Sequence, residues 1–246
     1  LSLPFVQKTR TAGYDGRGVA IFRKEEDLQN LLIGASLVEP LMPIEKEVAV
    51  IVAKNERGEI RAFPPVEMVF HPTANLVEFL LSPARIPEKV ARAAEDLAVS
   101  AIEAYDLCGL LAVEMFMDAR GELLINEVAP RPHNSGHHSI EGNITSQFEQ
   151  HLRAVLNLPL GSTDIIQPSA MLNLLGAPGH TGPARYQGIE QVLAETDAHV
   201  HLYGKSETRP YRKMGHLTVC ASTVEEVMEK AKRLENTLQI VSGEPA

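Results

Sequence analysis

This 246-residue sequence has little cysteine, few long apolar runs and no excess of basic charge. Its two cysteines, Cys108 and Cys220, have no metal-type spacing, so we expect small buried hydrophobes in a reducing compartment, with the cytoplasm as the default location. No apolar run approaches the roughly 20 residues of a membrane-spanning helix, which argues against a membrane partner. The formal net charge of −9 argues against general nucleic-acid binding, because such binding usually requires a basic face.

The most informative stretch is GLLAVEMFMDARGELLINEVAPRPHNSGHH, residues 109–138. Its two apolar segments predict a pair of strands joined by a turn at MDARG. Folding the pair there places Glu114 opposite Ile125, with Glu127 as a diagonal neighbour on the same face. A solvated sheet face is the ordinary explanation for one such acid, but both strands are otherwise apolar, and buried carboxylates need partners. With the amide of Asn126 beside them, the two carboxylates predict a Mg-nucleotide site.

A glycine-rich loop follows the first predicted strand. Residues 11–18 read TAGYDGRG, and three glycines in six residues let backbone N–H groups approach an anion closely. A hairpin turn explains the glycines equally well. Lys8 and Arg17 favour phosphate binding, because both supply charge-assisted donors.

Two further segments are candidates for ligand contacts. Residues 39–47 contain two prolines and are predicted to be extended, with backbone groups available to a planar heterocycle, although by themselves they suit a domain linker better. Basic residues crowd a later segment of the otherwise acidic chain, namely Lys205, Arg209, Arg212, Lys213 and His216. A solvated surface is the ordinary explanation for them, whereas the glycines and proline between them suggest a shaped loop for a phosphate monoester.

Hydrophobic patterns predict both strands and helices along the chain. Strands are predicted at 5–8, 19–22, 36–38, 48–53, 60–70, 76–82, 169–175, 198–202 and 217–221. Helices are predicted at 25–33, 87–105, 144–156 and 223–240, the last with a capping-box pattern at its start. The segment 161–168 is rich in turn formers and is the predicted boundary between the two parts of the chain.

In their order along the chain, these motifs resemble the ATP-grasp ligases. The combination of GYDGRG, NEVAPRPHNSGHH and YGK…RP.RKMGH is similar to the 5-(carboxyamino)imidazole ribonucleotide synthase family, over nearly the whole chain. The resemblance implies an α+β ATP-grasp fold with a small lid subdomain at 1–46 and a larger antiparallel-sheet core at 47–162. It also implies a small C-terminal α/β subdomain at 163–246.

The resemblance implies a role for each motif residue. ATP and Mg2+ are the implied cofactors, with Glu114 and Glu127 as metal ligands. The residues implied to bind ATP are Lys8, Gly13, Tyr14, Asp15, Gly16, Arg17, Gly18, Glu39, Met42, Glu47 and Asn126. Those implied to bind the ribonucleotide are Asp15, Arg17, Arg131, Lys205, Arg212 and Lys213. Those implied at the reacting centre are Arg131, His133, Asn134 and His137.

The implied reaction joins bicarbonate to 5-aminoimidazole ribonucleotide through carboxyphosphate, and the implied enzyme is a homodimer. Three departures from the family pattern accompany the resemblance. Ala12 stands where a second glycine is common, and Tyr211 replaces a glycine in an RPGRK pattern. The family's N-terminal α/β domain is missing, so we expect this sequence to begin within a longer protein.

Two other classes of function remain open from the sequence. A different ATP-grasp ligase would keep Lys8, Glu47 and the two acidic residues of the hairpin but accept another amine or acid. A non-catalytic metal-binding module would rest on His133, His137, His138 and His71. Zinc is disfavoured there, because the histidines lack a cysteine partner and lie beside Arg131.

Overall fold

The computed structural model describes residues 2–11, 18–70 and 77–243. Its strands are β1 (Phe5–Thr9), β2 (Val19–Phe22), β3 (Ser36–Pro40), β4 (Lys46–Lys54), β5 (Ile60–Ala62), β6 (Val66–Phe70), β7 (Val77–Ser82), β8 (Gly109–Met117), β9 (Leu123–Ala129), β10 (Ser169–Leu175), β11 (Gly182–Gln187), β12 (Ala198–Leu202), β13 (Glu207–Thr208), β14 (Lys213–Cys220) and β15 (Gln239–Ser242). Its α-helices are α1 (Glu88–Ala104), α2 (Ser139–Gly142), α3 (Gln147–Val155), α4 (Ile189–Leu193) and α5 (Val224–Leu234), and 3-10 helices span Glu25–Asn30 and Asn134–Gly136. This mixed content confirms the predicted α+β class.

One large antiparallel sheet organises the chain. Its strands follow the order β12-β14-β10-β7-β6-β4-β8-β9, and β5 pairs with β4 as the ninth strand. Two three-stranded sheets accompany it, β2-β1-β3 and β13-β11-β15. Because successive side chains on a strand point to opposite faces, each face of the large sheet carries its own set of residues.

Helix α1 covers one face of the large sheet. Its buried residues Ala94, Ala98, Ala101 and Ile102 follow the spacing of a single helical face. They pack on apolar residues of β4 and β8, namely Val48, Val50, Val52, Leu111, Val113 and Met115. This layer confirms the predicted helix and forms the first of two main cores.

Helix α5 covers the same face in the C-terminal half. Val227, Ala231 and Leu234 join buried residues of β7, β10 and β14 in the second core. Strand β10 pairs with β7, so the sheet continues across the predicted boundary near residue 162. The division of the chain into three subdomains stays a prediction.

The opposite face of the sheet is covered by α3 at one end. Ala154 and Leu160 pack there on apolar residues of β4 and β8, among them Ile51 and Ala112. Towards the other end of these two strands, the same face carries carboxylates, with Glu47 on β4 and Glu114 on β8. The polar half of this face is where the candidate site lies.

Two predicted helices are shorter than the hydrophobic pattern suggested. The segment 25–33 forms a 3-10 helix that ends at Asn30. Beyond it the side chain of Gln7 accepts from the Leu32 N–H at 2.8 Å and donates to the Leu32 carbonyl at 2.9 Å, so that backbone is held by a side chain instead of a helix. The C-terminal helix ends at Leu234, because the following segment forms β15 against β11.

The predicted helix at 144–156 starts late. Ser146 is its N-cap, and its hydroxyl accepts from the Glu149 N–H at 3.2 Å, so α3 begins at Gln147. A separate turn of helix, α2, precedes it and was not predicted. The late start matters for the site, because it places Gln147 at the buried beginning of the helix.

Several strand predictions also need correction. Residues 60–70 are not one strand, since Pro64 and Pro65 separate β5 from β6 and cannot donate to a ladder. Strand β14 begins at Lys213, so Lys213 and His216 lie on a strand instead of in a loop. The elements that the sequence analysis did not predict are α2, α4, β11, β13 and β15.

The two cysteines differ in environment. Cys220 is buried, as expected, and burial raises the pKa of its thiol to about 11. The expectation was wrong for Cys108, which is exposed just before β8. Among the residues that the structure describes, no helix has both the length and the apolar character that crossing a bilayer demands.

Candidate active site

The β8–β9 hairpin brings two carboxylates together through a β-bulge. Glu114 lies directly opposite Glu127, and Met115 lies opposite Ile125, so Asn126 is the extra residue of the bulge. The predicted register, with Glu114 opposite Ile125, was wrong. An unbroken ladder continued from the turn would have set Asn126 opposite Glu114 and turned Glu127 to the other face. The bulge therefore makes the acidic pair a direct one.

A third carboxylate joins this pair from the neighbouring strand. Ala49 of β4 lies opposite Glu114, and Glu47 is two residues away on the same face. The pKa of Glu114 is raised to about 7, first by burial and then by the charges of Glu127 and Glu47. The pKa of Glu47 is likewise raised to about 7 by burial and by Glu127. Carboxylates that repel one another in this way are suited to a cation.

Lys8 of the small sheet contacts Glu39 of β3 and the bulge residue Asn126. Its ammonium lies 2.7 Å from Glu39 Oε2 and donates to Asn126 Oδ1 at 2.8 Å. Asn126 reaches Lys8 from the bulge, which is a usual way of re-aiming a side chain beside an active site. Lys8, Glu39 and Asn126, three of the residues implied to bind ATP, thus meet at one point from β1, β3 and β9.

The loop after β9 lies next to the acidic group. His133 Nε2 is 3.5 Å from Glu114 Oε1. The pKa of His133 is lowered to about 4 by burial first and then by the charges of Arg131 and Lys213. His133, a predicted reacting-centre residue, therefore lies beside Glu114, a predicted metal ligand.

Asn134 fixes the loop to the C-terminal half of the sheet. Its side-chain amide exchanges two hydrogen bonds with that of Asn173 on β10, at 2.8 and 3.1 Å. Asn173 lies opposite His216 of β14, which in turn lies opposite His201 of β12. These three positions form a polar row across the same face of the sheet.

A group of stacked imidazoles continues from that row. The rings of His201 and His216 are stacked with centroids 4.4 Å apart, and His137 lies 4.8 Å from His216. His201 Nε2 lies 2.7 Å from the buried Glu141 carboxylate. Burial first, and then the charge of Lys213, lowers the pKa of His137 to about 4. Burial, followed by its imidazole neighbours, lowers the pKa of His216 to about 3.

The basic cluster borders these imidazoles. The pKa of Lys205 is lowered by partial burial and by the like charges of Arg212, Lys213 and Arg209, and its ammonium donates to the Lys213 carbonyl. Lys205 also lies 5.6 Å from the centre of the Tyr203 ring. Lys213 lies opposite Leu175 of β10, which places it on the sheet face that carries Asn173, and its charge lowers the pKa values of His133 and Glu114.

Tyr211 is one of the departures from the family pattern, and its backbone conformation shows why glycine is common at this position. Its φ is +62°, a left-handed conformation that favours glycine, and the pattern has glycine at this position. Its N–H donates to the Gly176 carbonyl at 2.8 Å, which holds the turn. The chain therefore keeps the glycine-type backbone with a tyrosine in place.

Some predicted residues lie outside the described part of the chain. These are Gly13, Tyr14, Asp15, Gly16 and Arg17 of the glycine-rich loop, together with Ala12 and His71. Gly18 is described, and its carbonyl accepts from the Thr9 N–H at 2.8 Å. Met42 lies half-buried in the segment between β3 and β4.

The metal-module alternative finds no support in the described residues. Within ranges 2–11, 18–70 and 77–243, no three His, Cys, Asp or Glu side chains are grouped so that they could hold a metal ion. His138 is fully buried, and its Nδ1 lies 3.1 Å from the Ser135 carbonyl. A magnesium ion that also takes phosphate oxygens needs only one or two protein carboxylates, so this finding leaves the acidic pair as a candidate.

Comparison with known families shows the family to which the chain belongs. The ATP-grasp domain family matches residues 1–148. The chain belongs to the ATP-grasp family. A second family, the phosphoribosylaminoimidazole carboxylase C-terminal domain, matches residues 169–230 of this ATP-grasp chain.

Individual relatives agree with both matches. The N5-carboxyaminoimidazole ribonucleotide synthase of Bacillus subtilis is 42% identical over 228 residues, which is 89% of this chain and 56% of the relative. The crystal structure of N5-carboxyaminoimidazole ribonucleotide synthetase from Thermotoga maritima matches at 47% identity and a TM-score of 0.90, covering 98% of this chain and 64% of that one. The Aspergillus clavatus synthase, solved with ADP and 5-aminoimidazole ribonucleotide, matches at 33% identity and a TM-score of 0.83, covering 95% and 62%.

These comparisons confirm the resemblance inferred from the motifs. Across eight curated relatives, this ATP-grasp chain spans 40% to 62% of the relative's length.

The structure adds polar residues that the sequence analysis missed. Gln147, Asn173, His201 and Glu141 all contact the predicted residues or one another. Asn173 interrupts an apolar run on β10, and His201 is the second histidine of β12 after His199, and these interruptions are the signals that the sequence contained. Gln147 had no signal of its own, because α3 was predicted to start three residues earlier, at residue 144.

Proposed function

We propose that this chain is the ATP-binding and ligating part of an N5-carboxyaminoimidazole ribonucleotide synthase. The reaction is the ATP-dependent carboxylation of 5-aminoimidazole ribonucleotide by bicarbonate, giving the N-carboxylated ribonucleotide, ADP and phosphate. The observation that carries the proposal is the meeting of two groups on one sheet face. The acidic group at Glu114 and the basic cluster at Lys213 adjoin through the loop that contains His133.

The acidic side of the site suits a nucleotide with its metal ion. Glu114 and Glu127 hold magnesium, which supplies charge neutralisation at the transferring phosphate when bound. Lys8 and the glycine-rich loop bind the phosphates, replacing the present contacts of Lys8 with Glu39 and Asn126. Glu39 and the backbone of Met42 then bind adenine, and Glu47 binds the ribose hydroxyls.

The reaction proceeds in two displacements. An oxygen of bicarbonate attacks the γ-phosphorus, and the bond between that phosphorus and the leaving ADP oxygen breaks, which yields carboxyphosphate. The amine of the ribonucleotide attacks the carboxyl carbon, the carbon–oxygen bond to phosphate breaks, and the proton of the amine passes to the departing phosphate. The chain's part is positioning and charge stabilisation, as is usual for phosphoryl transfer.

The loop residues handle the small anions between the two ends. Arg131, with His133, Asn134 and His137, holds bicarbonate and then carboxyphosphate. Burial keeps His133 and His137 uncharged at neutral pH, with pKa values of about 4. They therefore act as neutral hydrogen-bonding groups, and Arg131 supplies the positive charge. Homodimer formation and a cytoplasmic location stay predictions from the family resemblance.

Within the basic cluster, Lys205 and Arg212 are assigned to the 5′-phosphate of the ribonucleotide, and Arg212 tests that assignment. Arg212→Ala is expected to raise the Michaelis constant for the ribonucleotide by about tenfold or more, since a hydrogen bond to a charged group contributes roughly 1.5–3 kcal/mol. The Michaelis constant for ATP should stay nearly unchanged. Arg209→Ala, which removes the same charge from the same segment, is the matched control and should have the smaller effect. Equal effects of the two variants would reject a specific phosphate contact.

The proposed function is tested by ADP release. The chain is supplied with MgATP and bicarbonate, with and without 5-aminoimidazole ribonucleotide, and with other amines and acids as competitors. The same assay is run on the chain joined to the N-terminal segment of the Bacillus subtilis relative. Stimulation by 5-aminoimidazole ribonucleotide alone supports the proposal. Equal stimulation by another acceptor, or silence in both forms, contradicts it and leaves a different ATP-grasp ligase.

A further inference from the structure

Gln147 is a polar residue buried completely at the start of α3. Its exposed fraction is 0%, and it follows the N-cap Ser146 directly. A buried amide is costly unless its donors and acceptor are all satisfied. Those of Gln147 are satisfied by the loop that contains the reacting-centre residues.

The side-chain amide of Gln147 can lie only one way round. Its Oε1 accepts from the His133 backbone N–H at 2.8 Å, and its Nε2 donates to the His133 carbonyl at 2.8 Å. A backbone N–H only donates and a carbonyl only accepts, so these two contacts fix which end of the amide is oxygen. The second Nε2 hydrogen then points to His137 Nδ1, which is also 2.8 Å away.

The orientation of Gln147 in turn fixes the protonation of His137. A nitrogen that accepts a hydrogen bond carries no proton, so the proton of the neutral His137 ring lies on Nε2. His133 is held differently, because its Nδ1 lies 2.9 Å from Ser135 Oγ, which can donate or accept, as well as 3.3 Å from the Ser135 backbone nitrogen. The contacts of the loop therefore assign an Nε2–H donor to His137.

The packing around Gln147 is specific for this arrangement. Its own N–H donates to Ser139 Oγ at 2.8 Å. A Cβ added at Gly136 would lie 2.6 Å from Gln147 Oε1 and 3.0 Å from Ile51 Cγ1, so the loop can approach the amide only with glycine there. Gln147 is therefore held by His133 of the loop and by Ser139 of α2, and Gly136 packs between its amide and Ile51 of β4.

We infer that Gln147 is a positioning residue that holds His137 in its Nε2–H form, so that His137 serves the site as a hydrogen-bond donor and not as a general base. With its Nδ1 lone pair engaged and its Nε2 protonated, the ring has no lone pair left to accept a proton from the attacking amine. Its Nε2–H suits an anionic oxygen, such as one of bicarbonate or a phosphate. The catalytic meaning of this inference rests on the proposed function, whereas the protonation pattern does not.

The first test is the nitrogen spectrum of the unliganded chain. Long-range proton–nitrogen correlation spectra of the chain labelled in its nine histidines show which ring nitrogen carries the proton, and His137→Gln assigns the signal. We expect His137 to show a protonated Nε2 and an unprotonated Nδ1 at pH 7. A protonated Nδ1, or rapid exchange between both forms, would overturn the inference without any variant of Gln147.

The second test changes the amide to a carboxylate. In Gln147→Glu, an acceptor replaces the Nε2 donor beside His137 Nδ1, so we expect the proton to move to Nδ1 or a second proton to bind there. Gln150→Glu is the matched control, because Gln150 is equally buried and its amide bonds the N–H and carbonyl of Gly161 in the same way, with no histidine involved. The two variants should lose similar stability, but only Gln147→Glu should alter the His137 signal. An unaltered His137 signal in Gln147→Glu would reject the positioning role.

The third test separates this inference from the proposed function. Gln147→Glu should lower kcat about tenfold or more, the effect of one lost hydrogen bond to a charged group, while the Michaelis constant for ATP stays nearly constant. If the chain shows the expected His137 signal but accepts another substrate, the inference stands and the proposed function fails. If turnover depends on the ribonucleotide but kcat is equal in Gln147→Glu and Gln150→Glu, the donor role of His137 is rejected.

Discussion

Replacing either residue of the acidic pair, as Glu114→Gln or Glu127→Gln, is expected to lower ATP turnover by about 100-fold or more. A metal ion contributes several kcal/mol of charge stabilisation in such transfers, and each 1.36 kcal/mol corresponds to about tenfold in rate. The amide keeps the size of the carboxylate, so the sheet should remain folded. The measurements are ADP release at saturating magnesium and the thermal unfolding temperature of each variant.

The hairpin offers its own control for this prediction. Glu122→Gln makes the same chemical change in the exposed turn, where Glu122 pairs with Arg120. It should leave turnover within about twofold of the unmodified chain, because an exposed ion pair contributes little. Retained turnover in Glu127→Gln, or an equal loss in Glu122→Gln, would remove the metal-ligand assignment.

The second large effect is a loss of stability in mild acid. Four buried histidines have lowered pKa values: about 4 for His133, His137 and His138, and about 3 for His216, against 6.5 in the unfolded chain. Below pH 6.5 the unfolded chain binds protons at these rings and the folded chain does not. Their contribution to stability is therefore complete above pH 6.5 and is lost progressively as the pH falls towards 4.

Two carboxyl groups oppose this trend. Glu47 and Glu114 have folded pKa values of about 7 against 4.5 when unfolded, so between these values the folded chain binds their protons and gains stability as the pH falls. Between pH 4.5 and 6.5 the unfolded chain binds four more protons at the histidines, and the folded chain binds two more at Glu47 and Glu114. The unfolded chain therefore binds a net two protons more than the folded chain. The free energy of unfolding should then fall by about 2.7 kcal/mol per pH unit, at 1.36 kcal/mol for each proton.

Denaturant titrations at several pH values check this balance. The double variant Glu47→Gln, Glu114→Gln removes the opposing pair, so its stability should fall more steeply with acid than that of the unmodified chain. A variant of two exposed acids on α1, Glu88→Gln with Glu103→Gln, is the control and should keep the original slope. A stability that is flat from pH 6.5 to 4.5 would show that the histidines are not held neutral.

How far the sequence predicts this molecule depends on the range of the interactions. Helix α1 and strands β1, β2 and β4 follow from local hydrophobic patterns, and they were predicted within a few residues. The strand β15 was mistaken for the end of a helix, because its pairing with β11 joins residues that are more than 50 positions apart. Local patterns contain no information about such a partner.

The acidic pair shows the same limit at the site. The sequence predicted that Glu114 and Glu127 share a face, and they do, but the register was wrong because no pattern announces a bulge at Asn126. The support of the site was hidden for a similar reason. Gln147 and Asn173 act through contacts 14 and 39 positions along the chain from their partners. The candidate site residues were therefore predictable from motifs, whereas the residues that hold them in place depend on the tertiary fold.

The extra residue of the bulge makes the Lys8 contact, whereas the carboxylate pair does not depend on that residue. Deleting Asn126 alone would restore a regular ladder and still leave Glu127 opposite Glu114, since the neighbouring pairs keep their partners. The same deletion would remove the amide that receives the Lys8 ammonium. A change of one residue in chain length, without any substitution, can therefore remove the lysine contact and keep the carboxylate pair.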